Sequence, residues 1–273
     1  MRSSIAQGQV DTATALRCDA SASALLEDWL SEHSQACALF LDVDGTLLDI
    51  ADTPDAVQVP RELSAALEIL HQRLGGALAL VSGRPVDDLD RLFSPLLLPA
   101  CGCHGAHWRA RADAMLREET EAVIDAALRG RLHALARAHP GVLTEDKGSS
   151  FALHYRAAPD AGDSLAAALG SLLGEPGNAG LHLLPGKMVF EVIAHGCDKA
   201  LAIRRFLGIT PFAGRRPLFI GDDLTDEPAV ALMPAIGGLG LSVGRLLPGA
   251  RAAFADAAAV RSALIHLAGG MAR

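Results

Sequence analysis

Short apolar runs alternate with amphipathic stretches along most of this chain. Apolar runs that stop at glycine or at polar residues predict buried strands, which we expect at 38–41, 77–81, 218–220 and 240–243, with another inside 99–108. Apolar residues at helical spacing predict helices at 23–33, 62–74, 86–93, 198–207, 225–233 and 251–267. Strands and helices in alternation are typical of an α/β fold with a parallel sheet.

The middle of the chain has a different order of elements. Residues 114–139 are rich in Ala, Leu and charged side chains and predict a largely helical stretch. The next expected elements are strands at 151–155 and within 181–193, and a helix at 163–173. We interpret this segment as a small inserted α/β cap domain. The expected division is an N-terminal extension with one helix at 1–35, a discontinuous core at 36–115 and 195–273, and a cap at 116–194.

The N-terminal stretch is the least patterned part of the sequence. Residues 1–20 are small and polar, so we expect them to be mobile. The helix expected at 23–33 carries an apolar stripe that includes Leu26, Trp29 and Leu30. Such a stripe usually docks on a hydrophobic core, and a partner-binding helix is the alternative.

Composition narrows the possible functions. The 273 residues carry a formal net charge of −8 and no Lys/Arg block, so we expect no nucleic-acid surface. The sequence contains no apolar stretch of membrane-spanning length and no secretory signal pattern, so we expect a cytoplasmic protein without membrane contact. The 5 cysteines include no C-x-x-C pair, which indicates reduced thiols rather than a zinc site. Sequence does not determine the oligomeric state.

Two acids follow the first apolar strand in the string D-x-D-G-T-L. Strand periodicity points Asp42 and Asp44 to the same side, where two carboxylates repel unless a cation or a shared proton intervenes. A plain strand followed by an Asp-Gly turn is the simpler alternative. The string resembles the first motif of the haloacid dehalogenase-like (HAD) phosphatases. That resemblance implies a HAD-like Rossmannoid core, with Asp42 as the nucleophile that becomes an aspartyl-phosphate and Asp44 as the general acid/base.

A phosphate site is expected beside these acids. Ser82, Gly83 and Arg84 follow the second strand, where a hydroxyl and free N–H groups at a helix start can bind an anion. The HAD resemblance assigns Ser82 to holding the phosphoryl group. Lys199 stands at the start of a helix just before the last acidic strand end, and we expect it to offset the charges of Asp42 and phosphate.

A magnesium site is predicted at the third strand end. Four acids fall within the string D-D-L-T-D-E that begins at Asp222, and such a cluster is unfavourable without a cation. Carboxylates with few other donors suit Mg²⁺. We expect Asp222 to bind it directly beside Asp42 and the backbone carbonyl of Asp44. Asp223 and Asp226 are expected in the outer coordination sphere, although plain helix capping is an alternative for these acids.

Further motifs extend the resemblance to a specific family. With S-G-R, the turn G-C-H-G that contains His104, E-D-K-G, H-Y-R, G-K-x-V-x-E, D-K and G-D-D-x-T-D-E added, the chain resembles trehalose-6-phosphate phosphatases over about residues 36–245. The resemblance implies a mobile cap, Mg²⁺ dependence, and hydrolysis of a small sugar phosphate, trehalose 6-phosphate, to trehalose and phosphate. It also implies that the cap contacts the glucose unit remote from the phosphate. The substrate-binding residues expected on these grounds are Gly83, Arg84, His104, Glu145, Lys147, Lys187 and Glu191.

Several departures and alternatives stay open at this point. Ile193 and Ala194 stand where the family often has a basic residue and a proline, and Ala200 stands where glycine is usual. These departures concern the cap hinge and leave the catalytic motifs intact. Another HAD sugar phosphatase, acting on sucrose phosphate or a mannosyl-phosphoglycerate, is the main alternative. A non-catalytic sugar-phosphate binding module and a structural partner protein that uses the 23–33 helix are the others.

Overall fold

The computed structural model of the chain describes residues 12–50, 57–118, 124–195 and 197–270. The strands of this part are β1 (Cys37–Leu41), β2 (Leu78–Val81), β3 (Ala100–Gly102), β4 (His107–Arg109), β5 (Arg117–Glu118), β6 (Leu143–Asp146), β7 (Phe151–His154), β8 (Leu181–Gly186), β9 (Val189–Ala194), β10 (Arg216–Gly221), β11 (Leu239–Val243) and β12 (Ala252–Phe254). The α-helices are α1 (Thr12–His33), α2 (Arg61–Arg73), α3 (Val86–Leu92), α4 (Ala126–Arg137), α5 (Gly162–Leu173), α6 (Lys199–Leu207), α7 (Glu227–Ala235) and α8 (Ala257–Gly270).

The larger sheet has eight strands in the order β12-β11-β10-β1-β2-β3-β4-β5. The strands from β12 to β3 run parallel, and β4 and β5 are added antiparallel at one edge. β1 lies between β10 and β2, and all five of its residues are buried. This mostly parallel α/β architecture confirms the fold class expected from sequence. Because the carboxyl ends of parallel strands meet at one edge, the residues that follow β1, β2 and β10 come together there.

Helices cover both faces of this sheet, as buried parallel strands require. Leu39 and Leu41 of β1 pack into an apolar cluster formed with α1, α2, α3 and α8. Phe40 packs on the other face, in a cluster formed with α6 and α7. Leu26 and Leu30 of α1 are buried in the first cluster, so the apolar stripe of this helix is a docking face.

The smaller sheet has four antiparallel strands in the order β6-β7-β9-β8. Phe151 and Leu153 of β7 face α4 and α5 and form the apolar core of this part. Ala152, which lies between them in the strand, faces the opposite side of the sheet. The pairing register places Glu145, Ala152 and Glu191 side by side on that second face, one on each of three neighbouring strands.

Three sequence-based element predictions were wrong in part. Within 114–139, the helix α4 begins only at Ala126, and the strand β5 precedes it, fixed by antiparallel pairing with β4. Within 251–267, β12 comes first because its residues pair with β11, and α8 begins at Ala257. At 225–233, a 3₁₀ turn over Leu224–Asp226 precedes α7, whose first turn contains a proline.

At the N-terminus, α1 begins at Thr12, well before the predicted start at 23. The mobility expected for residues 1–11 lies outside the described residues. No helix in the described part of the chain combines the length and apolar character needed to span a bilayer. The expected domain division remains a prediction; β5, which it assigns to the cap, pairs with β4 in the larger sheet.

Candidate active site

A cleft of ≈ 510 Å³ lies between the carboxyl edge of the larger sheet and the open face of the smaller sheet. Asp42 follows β1 directly, and its N–H donates to the Ile220 carbonyl of β10 at 3.0 Å, which extends the strand pairing by one step. The cleft is lined by all of the site residues predicted from sequence: Asp42, Asp44, Ser82, Gly83, Arg84, His104, Glu145, Lys147, Lys187, Glu191, Lys199, Asp222 and Asp223.

Lys199 is the buried cation at the floor of the cleft. Its Nζ donates to Asp42 Oδ1 at 2.7 Å and to Asp226 Oδ1 at 2.6 Å, and all three side chains are almost fully buried. Burial opposes a charged lysine, but the carboxylates of Asp226 and Asp42 outweigh it and raise the pKa of Lys199. The lysine is placed by the start of α6, where Asp198 caps the helix by accepting the Leu201 N–H at 2.7 Å. Lys199 therefore lies against Asp42, at the start of α6.

Asp226 has a larger part in the site than the sequence indicated. Besides Lys199, it holds the turn after β10, because its Oδ2 accepts the N–H groups of Asp222 and Asp223 at 3.1 Å each. Asp223 caps the same turn by accepting the Leu224 N–H at 2.7 Å. The sequence signal for this arrangement is a capping box, an acid three residues after the N-cap acid.

The acids at the strand ends fit a hard divalent cation. Oxygens of Asp42, Asp222 and Asp226 lie within 4.8 Å of one another. Asp42 Oδ2 is buried and has no hydrogen-bond partner among the described residues. Burial and neighbouring acids raise the pKa of Asp42 to about 7 and that of Asp222 to about 7. Clustered carboxylate oxygens of this kind, one of them unsatisfied, are the ligand chemistry that Mg²⁺ accepts.

Gly45 allows the acids to come this close. Its φ is +86°, which favours glycine, and a Cβ there would lie 2.1 Å from Asp222 Oδ2. On the other side of Asp222, Thr46 donates its hydroxyl to Oδ1 at 3.4 Å. The glycine of the D-x-D-G-T string therefore makes room for the acid that arrives from β10.

Asp44 is held by Arg84 from the end of β2. The guanidinium donates to both carboxylate oxygens, at 2.6 Å and 2.7 Å. Burial opposes the charge of Arg84, but the hydrogen bond to Asp44 outweighs it and raises the pKa of Arg84. Ser82, which is buried, accepts the Arg84 N–H at 3.1 Å. Arg84 therefore connects the carboxyl end of β2 to the carboxyl end of β1.

The opposite wall of the cleft carries a buried charge set centred on Glu191. Lys147 Nζ donates to Glu191 Oε1 at 3.1 Å and to the Gly83 carbonyl at 3.1 Å. His104 Nε2 hydrogen-bonds with Glu191 Oε2 at 3.1 Å. A Cβ at position 83 would lie 2.7 Å from His104 Nε2, so a glycine is required where this imidazole crosses. These contacts join the two sides of the cleft.

Glu145 lies in the cleft next to this set. Its hydrogen-bond partner, His154, was not among the site residues predicted from sequence. His154 Nε2 hydrogen-bonds with Glu145 Oε2 at 3.0 Å and also lines the cleft. That hydrogen bond lowers the pKa of Glu145, and the charge of Lys147 adds to the effect. The antiparallel pairing of β6 with β7 places the side chains of His154 and Glu145 on one face of the smaller sheet.

Comparison with known proteins identifies the family of this chain. The family model for trehalose-phosphatase matches residues 40–237. The chain belongs to the trehalose-phosphatase family. A relative from Sinorhizobium fredii, named as a probable trehalose-phosphate phosphatase, is 43% identical over 254 residues, which cover 91% of this chain and 95% of the relative. The trehalose-6-phosphate phosphatase of Escherichia coli is 39% identical over 219 residues, covering 78% of this chain and 79% of the relative.

Solved structures support the fold of this trehalose-phosphatase family member. The C-terminal domain of the C. albicans trehalose-6-phosphate phosphatase superposes with a TM-score of 0.78 at 22% identity, covering 90% of this chain and 96% of that domain. A phosphatase of the HAD superfamily from Bacteroides thetaiotaomicron superposes with a TM-score of 0.56 at 17% identity, covering 84% of this chain and 94% of that protein. The family predicted from the sequence motifs is confirmed.

Proposed function

We propose that this chain is a phosphatase that hydrolyses trehalose 6-phosphate to trehalose and phosphate. The observation that carries the proposal is one cleft with a buried acid–lysine pair on one wall and a second set of charged side chains on the other. On one side Asp42 is held by Lys199, and on the other Glu145, Lys147 and Glu191 present charges to the same space. Paired carboxylate and ammonium groups suit sugar hydroxyls, which both donate and accept hydrogen bonds.

The reaction runs as two in-line displacements at phosphorus. In the first, an Asp42 carboxylate oxygen attacks, the bond to the sugar oxygen breaks, and Asp44 protonates the departing oxygen. In the second, Asp44 takes a proton from water, which attacks the aspartyl-phosphate and releases phosphate. Lys199 balances the charge of Asp42 throughout, while Ser82 holds the phosphoryl oxygens.

Arg84 controls when Asp44 can exchange protons. Both oxygens of Asp44 accept hydrogen bonds from the guanidinium in the described structure. An oxygen that gives or takes a proton during the reaction must first be released by Arg84. The substrate phosphoryl group, which carries more negative charge than a carboxylate, is the natural competitor for this arginine.

Mg²⁺ is the proposed cofactor, held by Asp42 and Asp222 with the Asp44 backbone carbonyl. When bound, it supplies positive charge that offsets the repulsion between the nucleophile and the phosphate. Asp226 accepts the backbone N–H of Asp222 and so orients that residue. Asp223 stabilises the turn and lies outside the ligand set. A small-molecule sugar phosphate is the proposed partner.

The deciding experiment measures phosphate release from a panel of sugar phosphates, with Mg²⁺ and with EDTA. The panel contains trehalose 6-phosphate, glucose 6-phosphate, sucrose 6-phosphate and a mannosyl-phosphoglycerate. We expect Mg²⁺-dependent turnover with the highest kcat/KM for trehalose 6-phosphate. Equal or higher kcat/KM for another member of the panel would contradict the substrate assignment and leave the phosphatase assignment standing.

A variant pair tests the aspartyl-phosphate mechanism. Asp42→Asn replaces the nucleophile with a neutral amide and should lower kcat by at least about a thousandfold. Asp49→Asn is the control, because Asp49 is an exposed acid that pairs with Arg261. We expect the control to retain wild-type turnover. Full activity of Asp42→Asn would end the proposed mechanism.

A further inference from the structure

Ser150 is a buried hydroxyl that has no part in the proposed chemistry, yet it binds a side chain of the sugar site. Its Oγ donates to Glu191 Oε1 at 2.6 Å. The serine is 1% exposed and Glu191 is 6% exposed, so water does not compete for this contact. A short hydrogen bond to a buried carboxylate is among the stronger polar contacts available to a neutral side chain.

Among the described residues, the donors around Glu191 leave one of its acceptor positions free. A carboxylate offers about four acceptor positions, two on each oxygen. Ser150 and Lys147 both donate to Oε1 and fill it, while His104 takes one position on Oε2. One acceptor position on Oε2 therefore remains for a sugar hydroxyl. Burial opposes ionisation of Glu191, but Lys147, His104 and Ser150 outweigh it and lower the pKa of this group.

Local backbone structure explains why residue 150 reaches this carboxylate. The β6–β7 connection closes with the Lys147 N–H donating to the Ser150 carbonyl at 3.0 Å. This tight closure brings the Lys147 ammonium and the Ser150 hydroxyl to the same oxygen of Glu191. The adjacent Ser149 points elsewhere, since its Oγ hydrogen-bonds with His107 Nε2 at 3.1 Å. Only one of two consecutive serines serves the carboxylate.

We propose that Ser150 is a positioning residue for recognition of the sugar unit remote from the phosphate. It fixes the rotation of the Glu191 carboxylate so that the remaining acceptor position on Oε2 faces the cleft and binds a sugar hydroxyl. Without the hydroxyl, the carboxylate keeps one donor on each oxygen, Lys147 on Oε1 and His104 on Oε2, and its rotation is less tightly fixed. This inference rests on the proposed action on trehalose 6-phosphate.

The test compares kcat/KM for trehalose 6-phosphate with kcat/KM for glucose 6-phosphate, which lacks the remote sugar. Ser150→Ala should lower this ratio roughly tenfold, the loss expected for one hydrogen bond to a charged group, and the loss should lie in KM. Ser171→Ala, which removes an exposed hydroxyl that donates to the Ala167 carbonyl of its own helix, is the control and should keep the wild-type ratio.

Two further comparisons separate positioning from a general structural effect. Ser150→Thr keeps the hydroxyl, and Ser150→Val gives a side chain of the same shape as threonine without the hydroxyl. Ser150→Thr should therefore retain the wild-type ratio and Ser150→Val should lower it, and this comparison holds even if Ser150→Ala folds poorly. In a Glu191→Ala background, removing the Ser150 hydroxyl should change the ratio no further, because the serine acts through that carboxylate.

The outcomes separate the proposed function of the chain from the role of Ser150. A wild-type enzyme with no preference for trehalose 6-phosphate would overturn the proposed function itself. A selective wild-type enzyme whose Thr and Val variants at position 150 have equal ratios would overturn the role of Ser150 alone. An additive effect of the Ser150 and Glu191 substitutions would also overturn it.

Discussion

Replacing Lys199 by methionine tests the electrostatic design of the cleft floor. The substitution keeps the length of the side chain and removes its charge, leaving Asp42 and Asp226 without their shared cation. Both contacts are short, at 2.7 Å and 2.6 Å, and both carboxylates are buried. Removing one partner of a buried ion pair costs about 3–5 kcal/mol of unfolding free energy. Because two acids lose their partner here, we expect about 4 kcal/mol or more at pH 8.

The unfolding free energy lost in Lys199→Met should increase with pH. Loss of the ammonium raises the pKa of Asp42 above its value of about 7 in the intact site. At low pH the orphaned carboxyls are protonated and the penalty is smaller, so the difference from wild type should grow between pH 6 and pH 8. Urea unfolding followed by circular dichroism, in EDTA, measures the free energy at each pH. Turnover should fall at least about a hundredfold, because the nucleophile loses its counter-charge.

Lys187→Met is the matched control. Lys187 lines the same cleft and belongs to the turn between β8 and β9, and among the described residues it has no carboxylate within ion-pair distance. We expect it to change the unfolding free energy by less than about 0.5 kcal/mol. If Lys199→Met lies within about 1 kcal/mol of wild type at pH 8 and still turns over substrate, the reasoning about this ion pair is refuted.

Three further outcomes are expected. Gly45→Ala should raise the Mg²⁺ concentration needed for half-maximal activity about tenfold by displacing Asp222, whereas Gly76→Ala, at a similar φ of +88° and with its nearest neighbour 3.4 Å away, should leave it unchanged. The pKa of Asp42 is raised to about 7, so its folded form binds a proton more tightly than the unfolded chain. That stabilisation is present below about pH 4 and is lost as the pH rises through 7. Because Mg²⁺ binds the deprotonated carboxylate, the increase in Tm on adding Mg²⁺ should be larger at pH 8 than at pH 5.5. An increase in Tm that is the same at both pH values would contradict the assignment of Asp42 as a Mg²⁺ ligand. Glu145→Gln should raise KM for trehalose 6-phosphate about tenfold with little change in kcat, as measured by steady-state phosphate release, and an unchanged KM would exclude direct sugar contact.

Much of the fold and of the site follows from sequence because apolar strands and their polar ends are local signals. The run before Asp42 indicates a buried strand, and parallel strands share a carboxyl edge. The proximity of Asp42, Arg84 and Lys199 could therefore be expected from three separate stretches of sequence. For Glu145 and Glu191, the resemblance to a known family, rather than a local signal, implied a shared site.

The features that sequence did not predict depend on contacts between distant segments. β12 is rich in alanine and has a helical pattern, and only pairing with β11 makes it a strand. Among the acids after β10, the pattern cannot distinguish the one that faces Lys199 from those that face outward, since that depends on the capping turn. The position of Ser150 beneath Glu191 depends on the register of β7 against β9 in the same way.

If the proposed sugar site is correct, the row formed by Glu145, Ala152 and Glu191 across the smaller sheet fixes the length over which the sugar is bound. Neighbouring strands lie about 4.8 Å apart, so the backbones of the two glutamates are held about 10 Å apart by main-chain hydrogen bonds. Side-chain substitutions at the two ends can alter which hydroxyls are bound, but they cannot change this length. A slip of β7 by one residue would replace the Ala152 methyl group with Phe151 or Leu153 and obstruct the gap between the two glutamates. The span of sugar that the proposed site can accept is thus set by strand pairing in the smaller sheet.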